Sequence, residues 1–140
     1  MLRPAILIVA AALAGCAVKV PMASPSDDQA GKEFAPPAEG LAALYVFREG
    51  GFGAPYPLNI SVGQRTLGAL GPDTWFLINL PPGTYDVRCL SQNTVVNIAA
   101  GETRFIEAAL RVGPSCAPFE VPPAAARKAI SNGSRAAEVR

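Results

Sequence analysis

Histidine is absent from the 140 residues. Its absence removes His-based triads, imidazole general bases and most zinc sites at once. Charge is also sparse, at 16% of residues, with twelve Lys and Arg against eleven Asp and Glu. A near-neutral chain lacks the basic footprint that nucleic-acid binding needs, so no nucleic-acid partner is expected. Half of the residues are apolar, the reverse of a disordered composition. No Cys-x-x-Cys redox motif occurs. Gly50, Gly51 and Gly53 lack the spacing of a nucleotide loop and have no Lys-Ser/Thr after them.

Turn chemistry is what the chain has in quantity. Fourteen Pro and thirteen Gly favour many short strands over a helix bundle, and the length suits one domain.

The first sixteen residues form an ordered series. A single cation, Arg3, precedes an apolar run over residues 4–13, and small residues follow. That run is about half the length needed to cross a bilayer, so it reads as an export signal. Leu13-Ala14-Gly15-Cys16 resembles the lipobox of bacterial lipoproteins. The resemblance implies that the Cys16 thiol is acylated, that residues 1–15 are removed, and that the new amine is acylated in turn. Several acyl chains at about 0.8 kcal/mol per buried CH₂ hold a protein firmly, whereas one holds it weakly. Removing residues 1–15 takes only Arg3 among the charged residues, which leaves eleven cations against eleven anions. By the same resemblance, Ala17 rather than Asp after Cys16 implies an outer-membrane address facing the periplasm.

Residues 16–40 carry the lipidated Cys and then Pro21, Ser24, Pro25, Ser26, Asp27, Asp28, Gln29, Gly31, Pro36, Pro37 and Gly40, with no apolar period. They are expected to be a flexible tether reaching on the order of 25–30 Å.

From Leu41 the pattern changes to short apolar runs between Gly/Pro breaks, as in an all-β sandwich. The expected fold is a small antiparallel β-sandwich of about seven strands over residues 41–121, followed by a short C-terminal helix and tail over residues 122–140. Residues 41–48 are apolar on both faces and suit a central strand. Leu58, Ile60 and Val62 alternate inward, as do Tyr85, Val87 and Cys89. Pro123 opens the helix, Asn132-Gly133 stops it, and residues 134–140 are expected to fray.

With Cys16 lipidated, Cys89 and Cys116 remain in an oxidising compartment. Their even count favours a disulfide, the alternative being two separate buried thiols.

Phe52 and Tyr56 sit on a Gly/Pro loop and are candidate contacts for an envelope protein partner; folding back onto the sandwich edge is the alternative. Trp75 is expected in the core, and Arg48 at a rim or paired with a carboxylate. Asp73, Asp86, Glu102, Glu107 and Glu120 are scattered, and nothing in the sequence brings two of them together as an acid/base pair. No catalytic constellation, metal site or cofactor motif can be assembled. The chain is therefore expected to be a non-enzymatic binding or accessory module without cofactor, held at a membrane through acylated Cys16; the alternatives are a subunit of a larger envelope complex and a carbohydrate-active module using its surface carboxylates.

Leu44-Tyr45-Val46-Phe47-Arg48, the aromatic Gly/Pro loop, Ile60-Ser61-Val62-Gly63, Leu80-Pro81-Pro82-Gly83-Thr84-Tyr85 and Ala100-Gly101-Glu102 follow one another in order. This series resembles a family of small bacterial lipoproteins and secreted proteins with a single β-sandwich domain of unknown function. The Pro-Gly-x-Tyr element is also similar to a turn in PEGA-type and carboxypeptidase-regulatory-like sandwiches. The resemblance implies a fold and a location, and it carries over no catalytic residue. The chain departs from the family in Trp75, where Tyr is commoner, and in its extra cysteine pair.

Overall fold

The computed structural model describes residues 20–50, 56–112 and 115–140. The first strand, β1 (Ala42–Arg48), is buried at all seven positions. A strand buried on both faces needs a layer on each side of its sheet. Ala42, Leu44 and Val46 point into the core between two sheets, while Tyr45 and Phe47 point to a second apolar cluster on the outer side.

Seven further strands follow: β2 (Leu58–Val62), β3 (Arg65–Leu70), β4 (Thr74–Leu80), β5 (Gly83–Cys89), β6 (Gln92–Ile98), β7 (Thr103–Arg111) and β8 (Ser115–Glu120). A two-residue strand, β9 (Ser134–Arg135), comes last. One sheet has the order β8-β7-β1-β4-β9 and the other β3-β2-β5-β6. The fold is the expected β-sandwich, with nine described strands rather than about seven; the short β9 is held by backbone pairing, which leaves no apolar pattern in the sequence.

Pairing is antiparallel except at two places. β7 runs parallel to β1, with Phe47 opposite Glu107, and β9 runs parallel to β4. The open sides of the sandwich are closed in different ways. On one side the Cys89–Cys116 disulfide joins β5 to β8, with an S–S length of 2.05 Å. On the other side the C-terminal tail bridges the sheets: Ala136 N–H donates to the Trp75 carbonyl at 2.8 Å, and Val139 N–H to the Leu67 carbonyl at 2.9 Å. The tail that was expected to fray is thus tied to both sheets.

Helices cover the outer face of the β1 sheet. α2 (Pro123–Asn132) forms where the sequence predicts it and buries Ala126 and Ile130 against Tyr45, Phe47, Trp75 and Phe105. Tyr45 stacks on Phe105 with ring centroids 5.1 Å apart and tilts against Trp75 at 5.8 Å. Trp75 is 1% exposed and lies in the core, as expected.

The expected flexible tether is corrected from residue 20 onward, because this segment belongs to the fold. α1 (Pro25–Lys32) is capped by Ser24, whose Oγ accepts from Asp27 N–H at 3.1 Å. Pro25 opens the helix, Asp27 and Asp28 suit its positive end, and Lys32 in the last turn pairs with Asp28 at 2.8 Å. Only Gly31 of this helix is buried, and it lies against Trp75. Before the helix, Met22 pairs antiparallel with Ala136. Cys16 and the rest of residues 1–19 lie outside the described residues.

Candidate functional site

The parallel pairing of β1 and β7 brings together residues that the sequence keeps far apart. It sets Phe47 beside Glu107, so the end of β1 and the middle of β7 share one edge of the fold. A cleft of about 220 Å³ opens there, lined by Arg48, Glu49, Gly50, Glu107, Ala109 and Leu110.

Arg48 is 3% exposed, a buried cation rather than a rim residue. Its Nη1 donates to the Tyr56 carbonyl at 2.6 Å and to the Leu70 carbonyl at 3.1 Å. Burial lowers its pKa and the Asp73 carboxylate works the other way. Asp73 also holds the next residues of the chain: its Oδ1 accepts from Gly50 N–H at 2.7 Å. Asp73 has φ of 52°, a left-handed turn conformation that Asp tolerates better than most residues.

Glu107 is the carboxyl in this cleft with a shifted acidity. Burial raises its pKa first, the Glu49 carboxylate raises it further, and Arg111 opposes them. A carboxyl whose pKa is raised gives up its proton at higher pH than an ordinary one, and two carboxyls lining one cleft can divide acid and base roles between them. Sequence reading missed this pair. Glu49 was not singled out, and Glu107 was one of several scattered carboxylates.

The other scattered carboxylates are tied up on the exterior. Asp86 accepts from Asn93 and Arg88, which together hold its pKa low. Glu120 pairs with Arg104 at 2.5 Å, and Glu102 accepts from Ala99 N–H at 2.9 Å. Among the described residues, no three Cys, Asp or Glu side chains are grouped to hold a metal ion.

Of the candidate partner contacts, Tyr56 is 53% exposed, beside the carbonyl that anchors Arg48. Phe52 lies outside the described residues. The two downstream cysteines meet in the disulfide already described.

A larger groove, about 460 Å³, runs along the seam between the chain's two ends. Met22, Ala23 and Asp27 form one bank; Arg135, Glu138 and Val139 are on the other. Ala23 N–H donates to the Arg135 carbonyl and Ala137 N–H to the Pro21 carbonyl, both at 2.9 Å. Asp28 Oδ1 accepts from Arg135 N–H at 2.6 Å, and the Arg135 guanidinium lies 5.8 Å from the Trp75 ring centre. No helix among the described residues is long and apolar enough to cross a membrane.

No family model matches the chain. An uncharacterized protein of Haemophilus influenzae is 29% identical to it over 115 residues, covering 79% of this chain and 68% of that protein. Among solved structures, the N-terminal domain of AlgF from P. aeruginosa is similar, with 21% identity, a TM-score of 0.42, and coverage of 60% of this chain and 96% of that domain.

Proposed function

We propose that the chain is an envelope lipoprotein: a non-enzymatic binding or accessory module, anchored by acylated Cys16 at the outer membrane and facing the periplasm. One observation carries this reading. The disulfide joins Cys89 and Cys116, which leaves Cys16, at the end of a lipobox-like series, as the cysteine of the sequence that it does not use. A disulfide also suits a protein that works in an oxidising compartment. Tyr56 and Phe52 are the residues expected to meet an envelope protein partner. A Cys16→Ser precursor tests the anchor. It should stay uncleaved and take up no palmitate, and a normally processed mutant would overturn the reading.

The Glu49–Glu107 cleft favours a second reading, a carbohydrate-active module. Glu107 would serve as the proton donor and Glu49 as the second carboxyl of the pair. Incubation with envelope glycans separates the two. Bond cleavage that disappears in Glu107→Gln supports the enzyme, and intact glycan with both forms supports the contact module.

A further inference from the structure

We infer that the side of the sandwich built from residues 20–24 and the C-terminal tail rests against the bilayer surface. The inference depends on anchoring through Cys16 and adds where the domain then sits. Chain length carries it. From Pro21 the backbone is bonded to the body, through the Ala137 and Arg135 bonds and the Met22–Ala136 pair. Cys16 is therefore five residue steps from a fixed point, which spans at most about 17 Å. A folded chain of this size is about 35 Å across, by the usual scaling of radius with length. The tether is about half that diameter. It is too short to let the domain turn over or float free, so the side where the chain enters must face the lipid.

That side is suited to the position. Met22 is 47% exposed and Val139 53% exposed, and both line the groove along the seam. Arg135 and Arg140 share this groove with Asp27 and Glu138, so the charges are balanced and the short tether, not electrostatic attraction, holds the face down. The opposite side, where the disulfide joins β5 to β8 and Arg104 pairs with Glu120, faces away from the membrane.

Met22 reports on this arrangement directly, since it is the one methionine left once residues 1–15 are gone. Chain 16–140 is coupled through Cys16 to maleimide-bearing phosphatidylcholine vesicles. Coupling in this way makes the test independent of acylation in cells. Met22 sulfoxidation by chloramine-T is followed by mass, against the same chain with Cys16 capped by N-ethylmaleimide in solution. The rate should fall about threefold or more on vesicles. It should recover when twenty Gly/Ser residues, worth about 25 Å, are inserted between Ala17 and Val18. Equal rates on vesicles and in solution overturn the docking, as does a reduction that the insertion leaves unchanged. Absence of acyl chains on Cys16 in cells is a separate result and defeats the anchor itself.

Discussion

The Tyr45 hydroxyl donates to the Gly31 carbonyl across 2.8 Å, inside the fold. This bond ties the central strand to a helix that looked, in sequence, like part of a linker. It satisfies two buried polar groups at once, and it places the helix backbone close over the aromatic cluster of Tyr45, Trp75 and Phe105. Close approach is possible because residue 31 has no side chain.

Gly31→Ala tests that approach. A Cβ at this position would lie 2.7 Å from Trp75 Cζ3 and closer still to Cη2, with rigid ring atoms that are themselves packed. Overpacking of this kind costs about 1–3 kcal/mol. Thermal unfolding should show a lower midpoint for the variant, and an unchanged midpoint would mean that α1 does not press on Trp75.

Loss of the disulfide should cost more. Cys89 and Cys116 are 27 residues apart, and closing a loop of that length is worth about 3–4 kcal/mol in chain entropy. The Cys89→Ala, Cys116→Ala double variant should unfold at correspondingly lower urea concentration. Mass spectrometry of the native chain under non-reducing conditions should find neither thiol open to alkylation.

The acidity of Glu107 gives a pH dependence with a definite sign. Burial and Glu49 raise its folded pKa above the ordinary 4.5, so the native state holds this proton more tightly than the unfolded state. Stability from this group is full below about pH 4.5 and falls as pH rises through the higher folded value. Glu107→Gln should remove that loss. The variant should be more stable than the parent at pH 7 and differ little from it at pH 4, as measured by urea unfolding at both pH values.

Arg48→Met should be costly although the volumes are similar. The guanidinium donates to the Tyr56 and Leu70 carbonyls, and Met can donate to neither. Charge-assisted hydrogen bonds contribute about 1.5–3 kcal/mol each, and part is recovered where water reaches the exposed Tyr56. A net loss of about 2–3 kcal/mol is expected in chemical unfolding.

Much of the fold was legible because it depends on local pattern. The double-sided apolarity of β1, the inward alternation in β2, the core position of Trp75 and the stop at Asn132-Gly133 all appear in the structure. α1 was missed because it buries a single glycine and so has no apolar period. Its capping signal, Ser24-Pro25 followed by Asp27 and Asp28, was present and was the one cue available. The tail escaped notice for a related reason, since backbone bonds to Trp75 and Leu67 do not depend on side-chain type. The Glu49–Glu107 cleft was out of reach altogether. It arises from a parallel pairing between strands far apart in the chain, and spacing along a sequence carries no record of such register.

That same pairing governs when the fold can close. β1 is the middle strand of its sheet, with β4 on one side and β7 on the other, and β7 spans residues 103–111. At about 5–20 residues per second of synthesis, β1 waits on the order of 3–11 s for that neighbour to be made. The tail that bridges the two sheets is made later still. Pairings this distant in sequence also form slowly, on a scale of milliseconds to seconds. The sheet around β1 is therefore completed only after β7 has been made, and the seam between the two sheets only after the tail.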